Sequence, residues 1–211
     1  MVEVGEKYSA GEYERRFLLR EIPAGAADPR RIRDRYLTGT RLRLRLTESP
    51  AGQLLERKLG HKRRVADDDP TAVMHTSLYL DSGEFELLAA LPGRDLIKVR
   101  WAVDLAGAVG SVDLFEGDLL GLVMLEVDLK SATRLSDFSP PAWAGPEVTH
   151  DEAFTGGALS TLLPADLDQA VTRMVGSDRL NDRRVARLEC GNGAPPPDER
   201  RTLGPEPPRG R

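Results

Sequence analysis

Glu12-Tyr13-Glu14-Arg15-Arg16-Phe17 sets two carboxylates and a guanidinium at alternate positions. Alternate residues share a face of a β-strand. Glu12, Glu14 and Arg16 therefore point one way, and Tyr13, Arg15 and Phe17 the other. Two carboxylates one strand repeat apart lie within reach of one hard divalent cation such as Mg²⁺ or Mn²⁺. The neighbouring cation suits an anion held against that metal. The plainer alternative is a strand whose charges simply face water.

Further along, other segments repeat the theme. Arg41-Leu42-Arg43-Leu44-Arg45-Leu46 alternates strictly, with arginine on one face and leucine on the other. Arginine suits phosphate because its planar fork binds two oxygens at once. Leu54, Glu56 and Lys58 share a face in the next segment. Lys98 and Arg100 share one opposite Ile97, Val99 and Trp101, and Asp113 sits with Phe115. Glu126 and Asp128 share a face with Met124, opposite Val123, Leu125, Val127 and Leu129. Solvated faces of an open sheet are one reading. A closed antiparallel barrel would instead turn these faces inward and carry helices on its apolar outside. A lumen with carboxylates on one side and arginines on the other fits a polyphosphate with its metal.

The elements that must hold these residues follow from pattern and punctuation. Strands are expected over 9–20, 41–46, 53–59, 73–80, 96–103, 111–116 and 122–129, and 32–38 favours a strand over a helix. Pro23, Gly25, Asp28 and Pro29 mark a loop, and Ser49-Pro50-Ala51-Gly52 a turn. Gly60-His61-Lys62-Arg63-Arg64 reads as a basic loop and Asp67-Asp68-Asp69-Pro70 as an acidic one. Asp81 or Ser82 can cap a short helix over 83–91, with Phe85, Leu88 and Leu91 as its packing face. Thr149-His150-Asp151-Glu152 has the form of a capping box, predicting a helix to about Leu163. A second helix is expected over Asp166 to Val175, and a marginal third over 177–189. Residues 1–8 read as a loose lead-in, and the tail from Gly191 as disordered. The division expected is 1–176 for the barrel with its C-terminal helices, and 177–211 for the marginal helix and tail.

At this point the residues resemble a family. Glu12-Tyr13-Glu14-Arg15-Arg16-Phe17-Leu18-Leu19 is similar to the ExExK signature of the CYTH domain, the triphosphate tunnel metalloenzymes. Arg43-Leu44-Arg45, Lys58, Lys98-Val99-Arg100, Val112 to Gly117, Leu125 to Asp128 and Glu147 to Asp151 follow in the family's order. The resemblance covers roughly residues 8–160. It implies an α+β fold built on an eight-stranded antiparallel tunnel with flanking helices. It also implies hydrolysis of a triphosphate, inorganic triphosphate first among them, with Mg²⁺ or Mn²⁺. Carried over, Glu12, Glu14 and Arg16 would be catalytic. Glu12, Glu14, Glu126 and Asp128 would hold metal. Arg43, Arg45, Lys58, Lys98 and Arg100 would grip phosphates. Three departures stand out: Arg16 replaces the signature lysine, the strand at His75-Thr76-Ser77 brings no acidic residue, and the last motif ends in Ala153-Phe154 and Gly156. A polyphosphate- or nucleotide-binding protein without turnover, or an adenylate cyclase, are the other readings.

Composition narrows the rest. The chain has 211 residues, 30% charged and 5% aromatic, with a net charge of −4. The basic run Arg30 to Arg45 invites nucleic acid, but the acidic balance and few aromatics argue against it. Cys190 is the one cysteine, so no intramolecular disulfide can form. With no signal region or long apolar stretch, the expected compartment is the cytoplasm and no membrane partner is expected. His61, His75 and His150 lack zinc-ligand spacing, and no P-loop or dinucleotide fingerprint is present. Oligomeric state stays open.

Overall fold

The structure, a computed structural model, describes residues 9–105, 108–129 and 131–175. The expectations for 1–8, for 177–189 and for the tail with Cys190 lie outside the described residues. Eight strands close into one antiparallel barrel. They are β1 (Ser9–Leu19), β2 (Ala27–Leu37), β3 (Leu42–Glu48), β4 (Leu54–Arg64), β5 (Ala72–Tyr79), β6 (Gly93–Asp104), β7 (Val109–Phe115) and β8 (Val123–Leu129). Their order around the barrel is β1-β5-β4-β3-β2-β6-β7-β8, with β8 back against β1. Closure gives every strand a neighbour on both sides over at least part of its length. Helices α1 (Ser82–Ala89), α2 (Ala132–Asp137), α3 (Gly156–Leu159) and α4 (Pro164–Val175) flank it. No helix among the described residues is long and apolar enough to cross a membrane.

Cross-strand partners point to the same side of a sheet, so the register sorts the faces. Glu14 pairs with Asp128, Arg16 with Glu126 and Leu18 with Met124. Arg45 pairs with Asp34 and with Lys58, and Arg100 with Asp113. All of these face the lumen. The alternate residues face out: Phe17, Leu19, Val112, Leu125 and Val127 form an exterior cluster, covered by Leu135 and Phe138 around α2. Toward one end the lumen face turns apolar. There Leu18, Leu96, Phe115 and Met124 meet Val148, Phe154 and Leu159, with Leu167, Ala170 and Val171 of α4 behind them. That end is plugged by core, while the charged positions lie beyond it.

Several local expectations change. β2 begins at Ala27 through a bulge between Ala27 and Arg30, where Asp28 takes a φ of 50°. The segment expected as a loop from Pro23 is therefore strand in its second half. β4 does not stop at 59 but runs to Arg64, so the basic stretch 60–64 is strand. Its glycine breaks nothing: a Cβ at Gly60 would lie 3.2 Å from His75 Nε2 and 3.6 Å from Arg43 Nη2. Small size there makes room for lumen side chains. α1 does carry a capping box between Asp81 and Glu84, but none of its residues is buried. It lies on the barrel's outside and does not pack a core.

The box expected at Thr149 and Glu152 does not form. Asp151 caps a 3-10 turn at Glu152–Phe154, and Thr155 then caps α3. Thr149 is instead buried, accepting from the Arg16 amide at 3.0 Å and donating to Glu147 at 2.6 Å. This follows from the barrel itself. β5 covers only Ser9–Tyr13 of β1, which leaves the backbone of residues 16–18 in need of partners on that side. Segment 145–148 supplies them: Leu18 N–H bonds Pro146 O at 2.9 Å, Gly145 N–H bonds Leu18 O at 2.9 Å, and Val148 N–H bonds Arg16 O at 2.8 Å.

Candidate active site

The carboxylate wall is built from neighbouring strands β1 and β8. Glu12, Glu14 and Asp128 each bring one oxygen within 4.8 Å of the others. One hard cation spans such a set. Strand β5 adds His75, whose Nδ1 lies 2.8 Å from Glu12 Oε1. Strand β4 adds Lys62, whose Nζ lies 3.0 Å from Glu12 Oε2 and also bonds Glu14 Oε1. Burial opposes ionisation of Glu12, but the bonds and charges of His75 and Lys62 outweigh it and hold its carboxyl down at about 2. Asp128 behaves oppositely. Loss of hydration, then repulsion from Glu126, Glu14 and Glu12, pushes its carboxyl up to about 7. A bound cation would relieve the repulsion from these carboxylates.

The cations stand on β3 and on β6, further round the barrel, and each pair is held by a buried aspartate. Asp34, with 0% exposure, takes Arg45 Nε and Nη2 at 2.7 Å each, with Arg43 Nε at 3.6 Å. Asp113, 3% exposed, takes Lys98 Nζ at 2.6 Å and Arg100 Nε and Nη2 at 2.6 and 2.7 Å. Burial alone would raise both aspartates, but the flanking cations win and hold both carboxyls below their ordinary value. Two cations on one carboxylate leave a net positive charge in each group. Guanidinium has five donors, so an arginine held on one side still has hydrogens to offer the lumen. Lys58 pairs with Glu56 at 2.8 Å and lies over the Tyr79 ring at 4.9 Å.

Glu126 and Arg16 lie apart from the expected grouping. Glu126 is one step deeper on β8, outside the three-oxygen group, with Arg100 Nη2 3.3 Å away. Burial would raise its carboxyl, but Arg100, Lys62 and Lys98 depress it well below the usual range. Arg16 is buried at the plugged end. Its guanidinium donates to Phe154 O at 3.0 Å and Thr149 O at 2.9 Å. It ties the C-terminal segment over the barrel end.

A cavity of about 310 Å³ reaches from Glu14 and Lys62 past Arg43, Lys98 and Glu126 to the apolar plug at Phe154. Glu12, Asp128, Arg45, Lys58 and Arg100 lie toward the other mouth, as the register requires. Sequence reasoning missed Lys62, Asp34, Asp113 and His75 as parts of this arrangement. For Lys62 a signal existed: Glu56, Lys58, Gly60, Lys62 and Arg64 continue one alternation. Asp113 was visible as a charged strand position but not as a partner of Lys98 and Arg100, and Asp34 gave no signal, because their partners sit on other strands.

No family model matches the chain. An inorganic triphosphatase of Nitrosomonas europaea is 31% identical over 159 residues, which is 72% of this chain and 99% of that protein. A crystal structure of an inorganic triphosphatase matches with a TM-score of 0.51 at 28% identity, covering 72% of this chain and 96% of the other. A crystal structure of a hypothetical protein matches with a TM-score of 0.52 at 30% identity, covering 72% and 99%. Identity of this extent, a closed eight-stranded barrel and the ordered charged strands agree. The chain belongs to the CYTH-like triphosphate tunnel family.

Proposed function

We propose that the protein hydrolyses a triphosphate inside the barrel, with inorganic triphosphate as substrate and Mg²⁺ or Mn²⁺ as cofactor. The observation that carries this is the split lumen. Three convergent carboxylates face two aspartate-held cation groups, in a chain matched along 99% of an inorganic triphosphatase. The donor set fits a hard divalent ion: all three ligand atoms are carboxylate oxygens, and the strain on Asp128 is the kind a cation removes. Glu12, Glu14 and Asp128 would hold it, with Glu126 adding negative charge one step deeper. When bound, the ion supplies charge stabilisation at the reacting phosphoryl group and a readily ionised water.

The chain's own residues do the rest. Arg43, Arg45, Lys58, Lys98 and Arg100 bind the phosphate oxygens and fix the chain's axis along the lumen. Their charges are positioned in advance by Asp34, Asp113 and, for Lys58, Glu56, so little reorganisation accompanies the reaction. The apolar plug closes one end and limits water behind the site. The plugged end favours a substrate without a bulky organic group on that side. Arg16 lines the cavity, but two of its guanidinium nitrogens are taken by carbonyls, which favours a positioning role.

Glu12→Gln tests the site. It keeps the shape and removes the charge. Turnover of inorganic triphosphate should fall on the order of 100-fold, the usual loss for one electrostatic contact at a reacting centre. Triphosphate should still raise the melting temperature of the variant. Wild-type turnover in Glu12→Gln would overturn the assignment.

A further inference from the structure

Building on that reading, we infer that Lys62 is an exchangeable internal cation: its ammonium holds Glu12 and Glu14 together until a divalent ion takes its place, and then turns to the phosphate chain. The contacts single it out. Each of the five cations of the proposed phosphate grip has a carboxylate partner outside the three-oxygen group. Arg43 and Arg45 have Asp34, Lys98 and Arg100 have Asp113, and Lys58 has Glu56. Lys62 is instead paired with the wall that would hold the metal, at Glu12 Oε2 and Glu14 Oε1.

Position and chemistry make the exchange workable. Lys62 stands on β4 opposite His75 of β5, in register with the lumen face. His75 takes the other oxygen of Glu12, so that carboxylate stays aimed when Lys62 lets go. Lysine is a compact charge on a flexible four-carbon stem with rotatable donors, suited to changing partners. One ammonium offsets a single charge among three carboxylates, whereas a divalent ion offsets two. Metal entry therefore displaces it, and the nearest strong acceptor then is the anionic oxygen of a triphosphate in the cavity Lys62 already lines. Metal and substrate are coupled through it. Without substrate, Lys62 competes with the metal. With substrate, it strengthens the grip.

The test compares wild type with Lys62→Met and Lys62→Gln by Mn²⁺ binding, read from the electron paramagnetic resonance signal of free Mn²⁺ with no phosphate present. Both variants should bind Mn²⁺ about tenfold more tightly, because the competing charge is gone. At saturating Mn²⁺ their affinity for inorganic triphosphate should be about tenfold weaker. Melting curves with and without Mn²⁺ check that each variant is folded, and the Mn²⁺-induced rise should be larger than in wild type. Unchanged or weaker Mn²⁺ binding in both folded variants overturns the inference, as does unchanged triphosphate affinity. Neither readout uses turnover, so a failure of the hydrolase reading shows separately, as absent phosphate release by wild type.

Discussion

Arg45 shows how a proposed substrate grip and a stability element can fall on one residue. Read as a lumen arginine alone, its loss would cost affinity and little else. The structure pairs it with a fully buried carboxylate, so Arg45→Ala also leaves Asp34 with only Arg43 at 3.6 Å. The expected loss is about 3 kcal/mol of stability, the low end for stranding a buried charge. Triphosphate affinity should fall tenfold to a hundredfold, as for a hydrogen bond to a charged group worth about 1.5–3 kcal/mol. Asp34→Asn combined with Arg45→Ala should recover most of the melting temperature and none of the affinity. Full recovery of both would place the arginine outside the binding path.

Asp128 offers a pH test at the same scale. Its folded carboxyl titrates at about 7 against an ordinary 3.8. The folded state therefore holds the proton more tightly than the unfolded chain. That contribution is full below about pH 4 and is lost as pH rises toward 7. Asp128→Asn cannot ionise and should be spared the loss. In metal-free buffer its melting temperature should exceed wild type at pH 8 and match it near pH 4. An equal gap at both pH values would contradict the repulsion argued for Asp128.

At the scale of elements, the C-terminal segment behaves as a fastened plug. Arg16 holds the carbonyls of Thr149 and Phe154, and segment 145–148 completes the edge of β1. Arg16→Met removes both side-chain bonds while filling similar space. Two buried carbonyls lose charged donors, so stability should drop by about 2–4 kcal/mol. Amide exchange should quicken at Val148 and Phe154 before it quickens in β7 and β8. KM for triphosphate should change less than twofold. A collapse of kcat in a variant with native exchange rates would instead make Arg16 a catalytic residue.

The strands were legible where alternation was clean, as at Arg43 and Arg45 or Glu126 and Asp128. They were obscured where a residue serves the lumen and breaks the pattern. Gly60 looks like a stop but gives His75 and Arg43 room, so the reading ended β4 early and left Lys62 in a loop. Thr149 and Glu152 have the spacing of a capping box, yet Thr149 is used by Arg16 and Glu152 by Arg64. Both are partners far along the chain, and local spacing carries no information about them. The same holds for Asp34 and Asp113. Their importance lies in burial between cations from other strands, which appears only once the register is known.

Across the whole molecule, the barrel turns a polar sequence into a sorted one. The basic run that invited nucleic acid is divided: Arg43 and Arg45 turn inward to Asp34, while Arg31 bonds Glu116 and Arg35 bonds Asp95 on more exposed positions. Charges that would be solvated on an open sheet are gathered into a lumen with one acidic and one basic side. That arrangement suits the proposed metal and polyphosphate. Phosphate release from inorganic triphosphate tests this most directly, measured with Mg²⁺, with Mn²⁺ and with EDTA, beside ATP. Release that needs the divalent ion, and that is faster from inorganic triphosphate than from ATP, is the predicted result. Tight triphosphate binding with no release under any metal would contradict it and leave a tunnel that binds without catalysis.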